Sequence, residues 1–160
     1  FINSQGQGSL KIDASYRIVT GTEGANLRYT SGQAGNWVVA IHHIKGAHPT
    51  TPINVSANGF ASVTDPVVPS VTTTAINCLV MYCVSHLHLL SQTHTPPASH
   101  IEIIEQNSGD AANMLQLNTG FRVFATTGAT GTATVDCNEL TATEARYLRI
   151  AIAPGPLTIA

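Results

Sequence analysis

Charged side chains are scarce in this chain of 160 residues. Asp, Glu, Lys and Arg together make up 10% of the sequence, whereas about 25% is typical of globular domains. The seven basic residues lie singly between Lys11 and Arg149, so they cannot form the basic stripe that binds the phosphates of a nucleic acid. The composition therefore argues against nucleic acid as a partner and predicts a surface built mainly from uncharged polar groups.

Long apolar runs and aromatic residues are also few. The longest apolar stretches, such as Cys78–Val84, are far shorter than the roughly 20 residues that cross a bilayer as a helix, so we expect no membrane partner. We expect the single tryptophan, Trp37, to fill the core, with sugar stacking as the alternative. The net charge of -2 and the mean hydropathy of +0.13 nevertheless predict a folded chain, whose length fits one domain over residues 1–160.

The chain has only three cysteines, Cys78, Cys83 and Cys137, and no Cys-x-x-Cys spacing of the zinc or redox kind. On one strand, Cys78 and Cys83 would lie about 16 Å apart and face opposite ways, so they cannot bond to each other. Cys137 could meet either of them, although a buried free thiol is the commoner state. The sequence leaves the redox compartment open.

Strand patterns dominate the chain. Leu10–Ile18 alternates apolar and polar residues, while Trp37–Ile44 and Cys78–His88 are apolar on both faces, as central strands are. Further strands are predicted at about 27–30, 53–56, 60–64, 70–74, 101–105, 121–126, 130–135 and 145–153. Turn formers recur about every 8–15 residues, which is too close for crossover helices. We therefore expect an all-β fold, an antiparallel and jelly-roll-like β-sandwich of about 8–10 strands.

Three local signals concern turns. The pair Asn58-Gly59 is the strongest hairpin-turn signal in the chain. Asp110–Leu117 could form a helical turn that begins at a capping Asp. Thr141–Ala145 has the pattern of a capping box, but it is too short for more than one turn.

Seven histidines raise a metal hypothesis. His86 and His88 stand two apart on a predicted strand, so their rings would project from one face about 6–7 Å apart and could share one zinc or copper ion. No third ligand can be identified from the sequence, so we expect no cofactor. Catalysis is not indicated either: Glu102 and Glu105, three apart, would face opposite sides of a strand, and the chain has no nucleophile elbow and no phosphate loop. We predict that the protein is not an enzyme.

Several segments carry a resemblance to a known family when they are taken in order. They are Asn26–Ile41, Ile44–Ile53, Pro69–Thr74, Asn77–Val80, Ala129–Thr134 and Leu148–Ile152. Together they resemble the β-sandwich domain of tailed-bacteriophage virion structural proteins over nearly the whole chain. The family often has Asp-Pro where His48-Pro49 stands here. Its pattern also begins earlier, so N-terminal strands would be absent from this sequence or supplied by a neighbouring chain.

The resemblance implies a non-enzymatic virion component, either a capsid-decorating or a tail or fibre subunit. Its partners would be copies of itself, the major capsid or tail proteins, and a host surface glycan as a further candidate. Contacts would come from an N-terminal arm, residues 1–9, and a C-terminal tail, residues 154–160. Their apolar and proline residues are Phe1, Ile2, Pro154, Pro156, Leu157 and Ile159. The alternatives are a secreted carbohydrate-binding or adhesin module and an extracellular fibre subunit.

Overall fold

A computed structural model describes residues 3–7, 10–22, 35–88, 92–108, 114–138 and 143–156. Over these residues the chain forms eleven strands and no helix, and all strand pairs are antiparallel. The strands are β1 (Asn3–Gln7), β2 (Leu10–Ala14), β3 (Ile53–Val63), β4 (Val67–Val68), β5 (Thr72–Thr73), β6 (Cys78–His88), β7 (Ile101–Asn107), β8 (Met114–Phe124), β9 (Gly128–Ala129), β10 (Ala133–Thr134) and β11 (Thr143–Ile152). These described residues contain no helix that could span a membrane. The predicted all-β antiparallel fold is confirmed.

A five-stranded sheet in the order β3-β11-β6-β8-β7 forms the centre of the fold. Its middle strand, β6, has the bounds that the sequence predicted, because a strand covered on both faces is apolar throughout. Successive side chains of β6 point to opposite faces of the sheet. We call the side that carries Val80, Tyr82, Val84 and His86 the even face, and the side that carries Leu79, Met81 and Cys83 the odd face.

Both faces of the central sheet are covered, as in a β-sandwich. On the even face, the two-stranded sheets β10-β4 and β5-β9 and their flanking residues bring Val68, Val71 and Val135 into the core. On the odd face, Ile12 of β2 and the extended segment 35–47 pack against the sheet. The expected antiparallel sandwich is therefore present in the described residues.

The segment that contains Trp37 differs from its prediction. Residues 37–44 are extended but form no strand, and Trp37 is 45% exposed, so the expected core position of Trp37 is wrong. Val38, Ala40 and Ile44 are the residues of this run that pack against the sheet. Because this run is apolar at consecutive positions, its pattern could not tell which alternate set of side chains would face inward.

The three local turn signals singled out above were wrong where the structure describes them. Asn58 and Gly59 lie in the middle of β3, where Gly59 is opposite Tyr147 of β11. A Cβ atom at Gly59 would stand 2.3 Å from Cε2 of Tyr147, so this glycine makes room for a cross-strand ring instead of turning the chain. Residues 114–117 belong to β8 and pair with β6, and residues 143–145 belong to β11 and pair with β3, because strand pairing outweighs their local helix signals. The remainders of those two segments, residues 110–113 and 141–142, lie outside the described residues.

The two predicted terminal segments are described only in part. Asn3–Gln7 of the N-terminal arm form β1, which pairs with β2. Pro154 forms a bridge with Ala47, and Pro156 is exposed. The remaining predicted contact residues, Phe1, Ile2, Leu157 and Ile159, lie outside the described residues, as does the predicted strand at 27–30.

The outermost strand β7 contains a β-bulge. Glu102 is opposite Gly120 of β8, but Ile104 is opposite the adjacent Thr119, so Ile103 is an extra residue. Because of this bulge, one prediction from the sequence is wrong. Glu102 and Glu105 pair with even-face positions of β8 and therefore lie on the same side of the sheet, not on opposite sides.

Candidate functional site

Two histidines and a cysteine meet on the even face of the central sheet. One donor atom from each of His86, His94 and Cys137 lies within 4.8 Å of the other two, and all three residues are buried. The His86 and His94 rings stack with centroids 5.5 Å apart, and Nδ1 of His86 is 3.3 Å from Nε2 of His94. Two imidazoles and one thiol form a donor set that suits late first-row transition metals.

The backbone brings these residues together from three distant parts of the chain. His86 stands near the end of β6, where it is opposite Gln116 of β8. An isolated bridge joins Thr95 to Asp136, through hydrogen bonds of 2.7 Å and 3.2 Å, and so places His94 beside Cys137. The backbone N–H of Cys137 also donates to Asp65 Oδ1 at 3.1 Å. The cluster is therefore held by the sheet and by a loop-to-loop bridge.

Glu105 of β7 holds the His94 ring. Its Oε1 accepts hydrogen bonds from the backbone N–H of His94 at 2.8 Å, from Nδ1 of His94 at 3.0 Å and from Nε2 of Gln116 at 2.9 Å. Since a carboxylate only accepts, Nδ1 of His94 carries the proton. In the neutral ring the lone pair is then on Nε2, the nitrogen that faces His86.

The predicted pair His86 and His88 is only partly reproduced. His86 belongs to the cluster, but its neighbours there are His94 and Cys137, and the side chain of His88 lies outside the description. The sequence analysis missed His94 and Cys137 because no short spacing links them to His86. Only the residue types gave a signal, and the bridge that joins them is a long-range contact. All three cysteines are free thiols.

A second polar group is buried on the even face, around Arg149. The Arg149 side chain is fully buried, and none of its three guanidinium nitrogens has a hydrogen-bond partner in the part of the chain that the structure describes. Burial, together with the charge of Arg122, lowers the pKa of Arg149 to about 10. Burial also lowers the pKa of His100 and raises that of Tyr82.

The odd face leaves large apolar side chains exposed. Along the segment 35–47, Val39 is 53% exposed and Ile41 is 66% exposed. At the β7 and β8 side of the sheet, Ile101, Ile103 and Val123 are exposed as well. Between these two regions runs an open groove of about 460 Å³ lined by Ile41, His42, His43, Ile44, Lys45, Leu79, Met81, Ile103, Ile104 and Phe121. The segment 35–47 thus covers only part of the odd face.

Both acidic residues considered for catalysis form hydrogen bonds within the protein. Oε2 of Glu102 accepts from Nδ2 of Asn118 at 3.1 Å, and Glu105 accepts the three bonds described above. Comparison with family models, curated proteins and solved structures found no match to the chain.

Proposed function

We propose that the protein is a non-enzymatic structural subunit that assembles with copies of itself, and that it is a capsid-decorating or tail or fibre subunit of a bacteriophage virion. The observation that carries the assembly part is the exposed apolar surface of the odd face. The virion part follows from the sequence resemblance alone. Its remaining partners would be the major capsid or tail proteins.

The apolar surface is suited to association because few charged side chains surround it. Burying apolar area is favourable by about 25 cal/mol per Å², whereas a charged group must lose its hydration when it is covered. Among the described residues that line the groove, Lys45 is the one with a charged side chain. Covering this surface with a second copy would therefore bury Ile41 and Ile103 at little electrostatic cost.

The assembly proposal is tested by the mass of the purified chain in solution. Light scattering after size-exclusion chromatography should give a multimer whose mass changes little between low and moderately high salt, because few ion pairs can be screened. Ile41→Asp and Ile103→Asp should each yield monomers. Ile76→Asp is the matched control, because Ile76 is also exposed but does not line the groove. A wild-type chain that stays monomeric over the accessible concentration range contradicts the proposal.

The virion part needs a separate experiment. Mass spectrometry of purified phage particles should detect the chain in stoichiometric amount, and antibody labelling in electron micrographs should place it on the head or the tail. Its absence from intact particles would leave assembly in place and remove the virion assignment.

One observation favours a carbohydrate-binding function as the second candidate. Trp37 and Tyr16 are each 45% exposed, and an exposed indole ring can stack on a sugar. Because Trp37 is the only tryptophan, its fluorescence would report ligand binding directly. Submillimolar binding on a glycan array that is lost in Trp37→Ala, by a chain that does not assemble, would favour this function over a structural subunit.

A further inference from the structure

We propose that His86, His94 and Cys137 form a binding site for one transition-metal ion, and that Zn²⁺ is the ion the site takes. Zinc binds imidazole nitrogen at about 2.0–2.1 Å and thiolate sulfur at about 2.3 Å, with tetrahedral geometry. Two nitrogens on one tetrahedral ion are then about 3.3 Å apart. The separation of His86 Nδ1 from His94 Nε2 is 3.3 Å.

Cys137 completes a set of three donors. The donor atoms, one from each residue, all lie within 4.8 Å of one another, a separation comparable with the roughly 3.6 Å expected between sulfur and nitrogen on one zinc ion. Zn²⁺, the Cys137 thiolate and the Glu105 carboxylate have a formal charge sum of zero. This neutrality matters because all three ligands are buried, and an uncompensated charge there would be costly.

The surroundings of His94 match those of a metal-bound histidine. Such a histidine donates its second ring N–H to a carboxylate or a carbonyl, which fixes its tautomer and makes the ligating nitrogen more basic. Glu105 accepts this hydrogen bond from Nδ1 of His94, and it also accepts one from Nε2 of Gln116. With the proton on Nδ1, the Nε2 lone pair of His94 faces Nδ1 of His86.

A fourth donor position remains, as in zinc sites with three protein ligands. Gln116 is buried, and its Oε1 has no hydrogen-bond partner among the described residues. The β6–β8 register places Gln116 directly across from His86. This amide oxygen or a water molecule would complete the four ligands.

A hydrogen bond between the two imidazoles is the competing explanation of their approach. It would account for His86 and His94, but not for the convergence of a buried thiol on the same point. It also predicts that added metal leaves the reactivity of the Cys137 thiol unchanged. Reactivity of this one thiol therefore separates the two explanations.

The test begins with elemental analysis of the purified chain, followed by titration of metal-stripped protein with Zn²⁺ and with Co²⁺ as a spectroscopic substitute. We expect one ion per chain, the visible absorption of tetrahedral Co²⁺ and a thiolate-to-cobalt charge-transfer band. His94→Ala and Cys137→Ser should weaken Zn²⁺ binding more than Glu105→Gln, which should weaken it about 10–100-fold. Cys78→Ser and His48→Ala, which alter residues outside the cluster and outside the groove, should leave the affinity unchanged.

A measurement on the wild-type chain guards against variants that fail to fold. Mass-spectrometric mapping of alkylation should show that Zn²⁺ protects Cys137 but leaves the rates at Cys78 and Cys83 unchanged. A wild-type chain that takes up no stoichiometric Zn²⁺ overturns the proposal, and so does bound Zn²⁺ that leaves Cys137 reactive. A strong visible thiolate-to-copper band together with a preference for Cu²⁺ over Zn²⁺ would overturn the choice of metal, because two histidines and a cysteine are also copper ligands.

Discussion

Replacing Arg149 by Met should stabilise the protein, which is the opposite of the usual effect of a core substitution. Met keeps most of the apolar stem and removes a charge that is fully buried and that no described residue hydrogen-bonds. The fall of the Arg149 pKa from 12.5 to about 10 corresponds to about 3 kcal/mol against the charged side chain. Allowing for lost packing, we expect the free energy of unfolding to rise by about 1–3 kcal/mol. The melting temperature should then rise by roughly 2–12 °C.

Arg146, three residues away on β11, is the matched control. It is buried too, but its Nε donates to the Leu10 carbonyl at 3.3 Å, its Nη2 pairs with Glu144 and its guanidinium lies 4.7 Å from the Phe60 ring centroid. Hydrogen bonds of charged groups contribute about 1.5–3 kcal/mol each. Arg146→Met should therefore destabilise the protein by about 1–3 kcal/mol.

Urea unfolding of the two variants provides the assay. If the dependence on urea is unchanged, the shift of the midpoint gives the change in stability. Arg149→Met that lowers the midpoint by as much as Arg146→Met would refute the reasoning. It would mean that Arg149 has a stabilising partner, such as a bound anion, beyond the contacts described above.

Four further results are expected. Gly120→Ala should cost about 1–3 kcal/mol by thermal denaturation, because the new Cβ would lie 2.6 Å from the carbonyl oxygen of Ile101; a neutral effect would contradict this packing. Burial lowers the pKa of His42 and of His100 below 6.5. The free energy of unfolding should therefore fall as the pH drops below 6.5, and it should fall by less in His42→Gln and His100→Gln. If the dependence of stability on pH is the same in these variants, neither ring is responsible. Desolvation raises the pKa of Cys83 to about 12, so iodoacetamide should modify it much more slowly in folded than in unfolded protein at pH 8; equal rates would contradict the raised pKa. Assembly should also change little between low and moderately high salt, and dissociation over that range would point to ion pairs at the interface.

The sequence was most informative where a strand is buried on both faces. Cys78–His88 was predicted with its observed bounds, and the strands at 101–107 and 143–152 were located with small errors at their ends. The alternation of Leu10 and Ile12 with Lys11 and Asp13 also appeared as burial and exposure in β2. These features follow from local periodicity, which depends on which side chains face the core.

Features that depend on long-range contacts could not be predicted. Gly59 carries a strong turn signal, but its partner Tyr147 is distant in sequence and places the glycine inside a strand. The extra residue Ile103 places Glu102 and Glu105 on the same side of the sheet instead of on opposite sides, because one inserted residue shifts the alternation of side chains along the strand. The cluster of His86, His94 and Cys137 is of the same kind, since a bridge between two distant segments places His94 beside Cys137.

The bulge in β7 also limits how the protein can grow into larger structures. A strand that joins a sheet edge needs a regular succession of free N–H and C=O groups, and the insertion at Ile103 interrupts it. A chain so rich in strands and so poor in charge has the composition that favours amyloid-like filaments. The bulge makes this edge a poor template for such filaments, so that association at the β7 edge would use side-chain surfaces instead of added strands.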